Sequence, residues 1–130
     1  MNKEQFAAKF GPWAVVTGAS SGIGTQYATQ LASRGLNVVL VARNADRLRQ
    51  IATDLEKAHG IETRVAAADL GQENFRDAIT PHTDGLDVGL LESNAGSTSL
   101  GAFLRVPADD LITELRLNTT AHLELAHHFG

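Results

Sequence analysis

Two short runs, Trp-Ala-Val-Val-Thr at 13–17 and Asn-Val-Val-Leu-Val-Ala at 37–42, are apolar at nearly every position rather than at every second one. A strand with one wet face alternates apolar and polar residues, so runs of this kind belong to a sheet covered on both faces, which is the parallel kind. Helical patterns fill the intervals. Within 22–34, Ile23, Tyr27, Ala28, Leu31 and Ala32 share one helical face, and Gly35 offers the left-handed residue that ends such a helix. Asn44 suits the N-cap of a helix built on Leu48, Ile51, Ala52 and Leu55, closed by Gly60. A third strand is expected over 62–68, leading to Asp69. A helix over 73–79, stopped by Pro81, and a fourth strand over 87–91 follow. Pro107 with Asp109 and Asp110 opens a long helix reaching about residue 129, its acids matching the positive end of the helix dipole. Phe6, Ala7 and Phe10 add a short helix or cap before Gly11-Pro12. The order β-α-β-α-β-α-β-α, joined by right-handed crossovers, predicts an α/β doubly wound parallel sheet truncated after about four strands.

The size and charge narrow the partners. At 130 residues, 43% of them hydrophobic, the chain has the length and core of one domain, expected to span residues 1–130. Its net charge of −4 argues against nucleic acid or an anionic membrane surface as a partner, since both select basic surfaces. There is no cysteine, hence no disulfide and no thiolate metal site. No run approaches the ~18 apolar residues of a bilayer span, and the first eleven residues lack a signal peptide's apolar core, so a cytoplasmic protein is expected. His122, His127 and His128 lie near Glu124, but their spacing does not present two imidazoles to one ion, and no metal is expected.

Between the first strand and the next helix, Gly18-Ala-Ser-Ser-Gly-Ile-Gly24 carries glycine at three of seven positions. In a doubly wound sheet, ligands bind beyond the carboxyl ends of the strands. A pyrophosphate there asks for a tight turn, a backbone it can approach without meeting Cβ atoms, and free amides at a helix start. Gly18, Gly22 and Gly24 meet the first two needs, and the helix opening at Gly22 and Ile23 meets the third. Ser20 and Ser21 add hydroxyl donors. A turn kept only for its backbone angles is the plainer explanation. The strand before, the helix after and a second strand ~20 residues on favour a Rossmann-type dinucleotide site. After the second strand, NAD-selective sites place an acid on the ribose, whereas an arginine accommodates a 2′-phosphate. Here Arg43 and Asn44 stand at that point and Asp46 comes only later, inside the helix, so NADP is expected, with NADPH preferred over NADH.

These features together resemble the short-chain dehydrogenase/reductase family across essentially the whole chain. Thr17-Gly-Ala-Ser-Ser-Gly-Ile-Gly24 is similar to its TGxxxGxG cofactor motif, and Asp69-Leu70 to its adenine-contacting aspartate. Asn94-Ala95-Gly96 resembles its NNAG motif, and Asn118 falls at the helix asparagine of its catalytic tetrad. The stretches 11–18, 34–40 and 87–91 look most like the hydroxysteroid dehydrogenase and long-chain 3-oxoacyl reductase branch. The resemblance implies hydride transfer between a nicotinamide dinucleotide and a carbonyl or alcohol substrate. Two positions depart from the pattern. Ser93 stands where the motif usually has its first asparagine, and Glu92 replaces an apolar residue, either near the cofactor or turned away from it. Ser97, Thr98 and Ser99 follow, as lining of the nicotinamide site or as a plain polar loop.

The family pattern also includes a serine, and a tyrosine with a lysine four residues later. A tyrosine titrating near pH ~10 needs that neighbouring cation to act at neutral pH. Here the one tyrosine, Tyr27, has Leu31 at the fourth position on, and no lysine follows Lys57. Of the tetrad only Asn118 has a counterpart. The expectation is the cofactor-binding half of a dehydrogenase about twice as long, inactive by itself. Its fourth strand would be left at an open edge, which favours homo-oligomers. The alternative is a non-catalytic nucleotide-binding or self-assembling module ending at residue 130.

Overall fold

The computed structural model describes residues 1–130. Asn2 caps helix α1 (Lys3–Phe10) in a reciprocal box with Gln5, each side chain bonded to the other's backbone amide. The chain then runs through β1 (Trp13–Thr17), α2 (Gly22–Ser33), β2 (Asn37–Ala42), α3 (Ala45–His59), β3 (Thr63–Ala67), α4 (Arg76–Thr83) and β4 (Val88–Glu92). A short 3-10 turn (Phe103–Arg105) leads to α5 (Ala108–Leu115), which continues through a π turn (Arg116–Thr120) into α6 (Ala121–Phe129).

All strands are parallel, in the order β3-β2-β1-β4. β1 is buried at all five positions, as its unbroken apolar pattern requires. Its two faces serve separate cores. Ala14 and Val16 pack with Val38 and Leu40 against Ala28, Leu31, Leu48, Ile51 and Leu55 of α2 and α3. Val15 packs with Val39 and Val41 against Phe75, Ile79, Ala121 and Leu125 on the other face. The crossovers through α2 and α3 build the sheet outward from β1, and the chain then returns to add β4 on β1's other side. The direction of winding therefore changes between β1 and β4, the position where doubly wound sheets open a ligand cleft. β4 hydrogen-bonds only to β1, leaving its far edge open.

Three local expectations are corrected. On α2, Ile23 and Tyr27 are 67% and 44% exposed; the buried stripe is Gly24, Ala28, Leu31 and Ala32, because small residues let the helix lie close to β1. Pro81 does not stop its helix but lies inside α4, which starts later, at Arg76, than the sequence suggests. Near the end of so short a helix a missing amide costs one bond, and the Asp84 amide still reaches the Thr80 carbonyl at 2.9 Å. The helix expected over 107–129 is present but contains the π turn, where the Ala121 amide bonds the Arg116 carbonyl five residues back. No helix is long and apolar enough to cross a membrane.

Leu40 is fully buried in the middle of β2. Truncation to alanine leaves a cavity between sheet and helices, so Leu40→Ala is expected to cost about 3 kcal/mol in urea unfolding. A loss below about 1 kcal/mol would mean that this face of the sheet is not closely packed.

Candidate functional site

The carboxyl ends of β1, β2, β3 and β4 open into one cleft of about 910 Å³. Gly18, Ser20, Ser21, Gly22 and Ile23 form one wall, Arg43 and Asn44 a corner at the end of β2. Asp69 and Leu70 follow from beyond β3, and Asn94, Ala95 and Gly96 from beyond β4. Twelve of the fourteen residues singled out from the sequence thus line one space. Gly24 lies buried beneath the turn, and Asn118 stands behind Gly96.

The glycine turn fits the loop after β4 very closely. Gly18 has φ +63°, a left-handed conformation that side chains disfavour, and a Cβ there would sit 3.0 Å from the Ala95 Cα. A Cβ on Gly24 would lie 2.0 Å from the Gly18 carbonyl oxygen and 2.9 Å from Asn94 Nδ2, so no larger residue fits. Thr17 joins the two loops. Its fully buried hydroxyl oxygen accepts the amides of Asn94 (2.9 Å) and Ala95 (3.1 Å). Thr25 closes the turn from below, its hydroxyl donating to the Ala19 carbonyl at 2.9 Å. Ser21 is the N-cap of α2 but makes no side-chain cap, so the first-turn amides at the cleft wall have no side-chain acceptor. Such a set of uncommitted donors beside bare glycine backbone is suited to an anion.

Across the cleft, Asp69 turns back on its own loop, accepting the Gly71 amide at 2.9 Å. Asn118 sits in the π turn and uses both ends of its amide on one residue. Its Oδ1 accepts from the Ser97 amide (2.9 Å) and its Nδ2 donates to the Ser97 carbonyl (2.6 Å). It therefore positions the loop after Gly96. Ser97 and Ser99 line the cleft and Thr98 does not. Glu114 of α5 holds that loop by accepting the Ser99 amide, and Asp110, Thr113 and Leu117 complete the wall. Glu92 is no part of it. It pairs in register with Val16 and shares that residue's face of the sheet. Ser93 bonds His122 instead, with Oγ and Nδ1 2.5 Å apart. No group of three or more histidines and carboxylates is arranged to hold a metal ion.

The sequence did not single out Thr17, Thr25, Glu114 or Thr113 as site residues. Only Thr17 had a visible signal: a hydroxyl ending an otherwise apolar strand must find a partner in the core.

The model of the short chain dehydrogenase family matches residues 12–129. The chain belongs to that family. It is 41% identical, over 95% of its length, to a very-long-chain 3-oxoacyl-CoA reductase of Scheffersomyces stipitis, covering 37% of that protein. It is 42% identical, over 70% of its length, to the 17-beta-hydroxysteroid dehydrogenase type 3 of Mus musculus, covering 30% of it. These relatives lie in the branch that the stretches 11–18, 34–40 and 87–91 suggested. A short-chain dehydrogenase from Sphingobium yanoikuyae, solved in complex with NADPH, superposes with a TM-score of 0.84 at 36% identity. That match covers 91% of this chain and 47% of the other. The chain thus spans about a third of the curated relatives and about half of the solved one.

Thr17→Val removes the one acceptor of two buried amides and is expected to lower stability by about 2 kcal/mol in urea unfolding. Thr17→Ser, which keeps the hydroxyl, is expected to lose less than half of that. Equal losses would remove the hydroxyl from the account.

Proposed function

We propose that this chain is the NADP(H)-binding part of an oxidoreductase acting between a carbonyl and an alcohol. The observation that carries the reading is the corner of the cleft at the end of β2. Arg43 and Asn44 line it, and no carboxylate stands at that strand end. The nearest acid, Asp46, is bound to Arg49 at 2.9 Å. A guanidinium offers a planar fork of donors that matches a phosphate, whereas an NAD site would present an acid to the ribose. The NADPH bound to the Sphingobium yanoikuyae relative supports the same cofactor class.

The residues present fit such a dinucleotide. The glycine turn and first-turn amides of α2 would hold its pyrophosphate, Arg43 its 2′-phosphate, and Asp69 with Leu70 would flank the adenine. When bound, the nicotinamide supplies or accepts a hydride. Asn94, Ala95 and Gly96, fixed by Thr17 and Asn118, would line its far end. Within these 130 residues Tyr27 lies on α2 and the last lysine is Lys57, so the tyrosine–lysine pair of the family is not among them. The reading is therefore one of cofactor binding, and no turnover is expected from this polypeptide alone. The open edge of β4 supports the further expectation of self-association. A single monomeric species in sedimentation velocity at tens of micromolar would count against it.

Titration with NADPH and NADH, followed by nucleotide fluorescence, tests the cofactor. NADPH is expected to bind more tightly, and Arg43→Asp to weaken it by ~2 kcal/mol or more through loss of a charge-assisted contact and added repulsion. Comparable binding of both nucleotides, or an unchanged NADPH affinity in the variant, would sink the NADP(H) reading.

A further inference from the structure

The chain has eight arginines. Arg49, Arg76 and Arg116 are ion-paired with Asp46, Glu124 and Glu73. Arg34 and Arg64 lie over the rings of Phe6 and Trp13. Only Arg43, Arg47 and Arg105 have neither a carboxylate nor a ring as partner, and the first two stand four residues apart at the start of α3.

Arg47 is not among the cleft-lining residues, yet it is tied to the cleft wall. Its Nε donates to the carbonyl of Ser20, a residue of the glycine turn, at 3.4 Å. That long bond leaves both Nη groups without a protein acceptor. Its own amide is held by the side chain of the N-cap Asn44 at 3.1 Å, which fixes where the side chain leaves the helix. Asp46, the one acid in the first turn, bonds Arg49 rather than Arg43 or Arg47. Arg43 and Arg47 thus flank Asn44 at the start of α3, one lining the cleft and one tied to its wall, and neither guanidinium is paired with a carboxylate of the chain. A phosphate monoester carries a charge of about −1.5 to −2 near neutral pH, more than one guanidinium neutralises.

We propose that Arg47 is a second specificity-determining residue, completing with Arg43 a two-arginine clamp for the phosphate on the adenosine ribose. The proposal rests on the NADP(H) reading. It also separates two roles for Arg47. As a phosphate ligand, Arg47 acts only on the phosphorylated cofactor; as a brace for the glycine turn through Ser20, it acts equally on both.

The test uses the full 130-residue chain with NADPH and NADH as probes. Arg47→Ala is expected to weaken NADPH by about 10-fold or more, the scale of one hydrogen bond to a charged group, while NADH stays within about twofold. Arg47→Lys keeps the charge and is expected to hold NADPH within about threefold of the unaltered chain. Equal weakening of both nucleotides, no change in either, or a lysine variant as weak as the alanine one overturns the proposal. The cofactor preference and the role of Arg47 fail differently. If the unaltered chain prefers NADPH and Arg47→Ala keeps that preference, only the role of Arg47 falls. If the unaltered chain shows no preference for NADPH, the cofactor reading falls and takes the clamp with it.

Discussion

β1 has no side that meets water, and that constraint organises the rest of the molecule. A strand buried on both faces needs a neighbour on each edge and helices above and below, and the chain supplies them in two directions from the same strand. The change of direction leaves the loops after β1 and β4 facing each other over one strand end. Thr17 occupies that end. Its hydroxyl is fully buried and is satisfied by the amides of the opposite loop. The packing of the sheet and the shape of the cleft are therefore consequences of the same five residues.

Gly18, Gly24 and Asn94 pack the cleft wall closely. Backbone and side chain approach so closely there that neither glycine has room for a Cβ. A wall of this kind is organised before a ligand arrives, and little ordering entropy remains to be lost on binding. The far wall is held differently. Asn118 and Glu114 fasten the loop after Gly96 through its amides, so that side of the cleft depends on side chains of a helix rather than on glycine packing.

The parts of this arrangement visible in the sequence were those written in local pattern. Unbroken apolar runs revealed the buried strands, and glycines beside a strand marked the turn, because both follow from backbone geometry and burial alone. Sequence could not set the rotation of α2. Ile23 and Tyr27 fit the expected stripe, but the helix turned its small residues inward to approach β1. Pro81 misled for a related reason: a proline breaks a helix interior, yet near the last turn it removes a bond that is barely missed. The roles of Thr17, Glu114 and Arg47 depend on partners 15 to 78 residues away, and such pairings exist only once the sheet has brought them together.

The π turn at 116–120 has a consequence for chain length. It inserts an extra residue into a helix whose two ends are committed to different tasks. Thr113 and Glu114 belong to the cleft wall, while Ala121 and Leu125 are buried in the core under the sheet. Each residue of an α-helix advances the side-chain direction by roughly 100°. Wound as regular helix, the same number of residues would swing one end by about that angle and pull either the wall or the core residues out of place; the wide turn takes up the extra residue instead. Both ends of the helix thereby keep the side-chain directions that the cleft wall and the core each need.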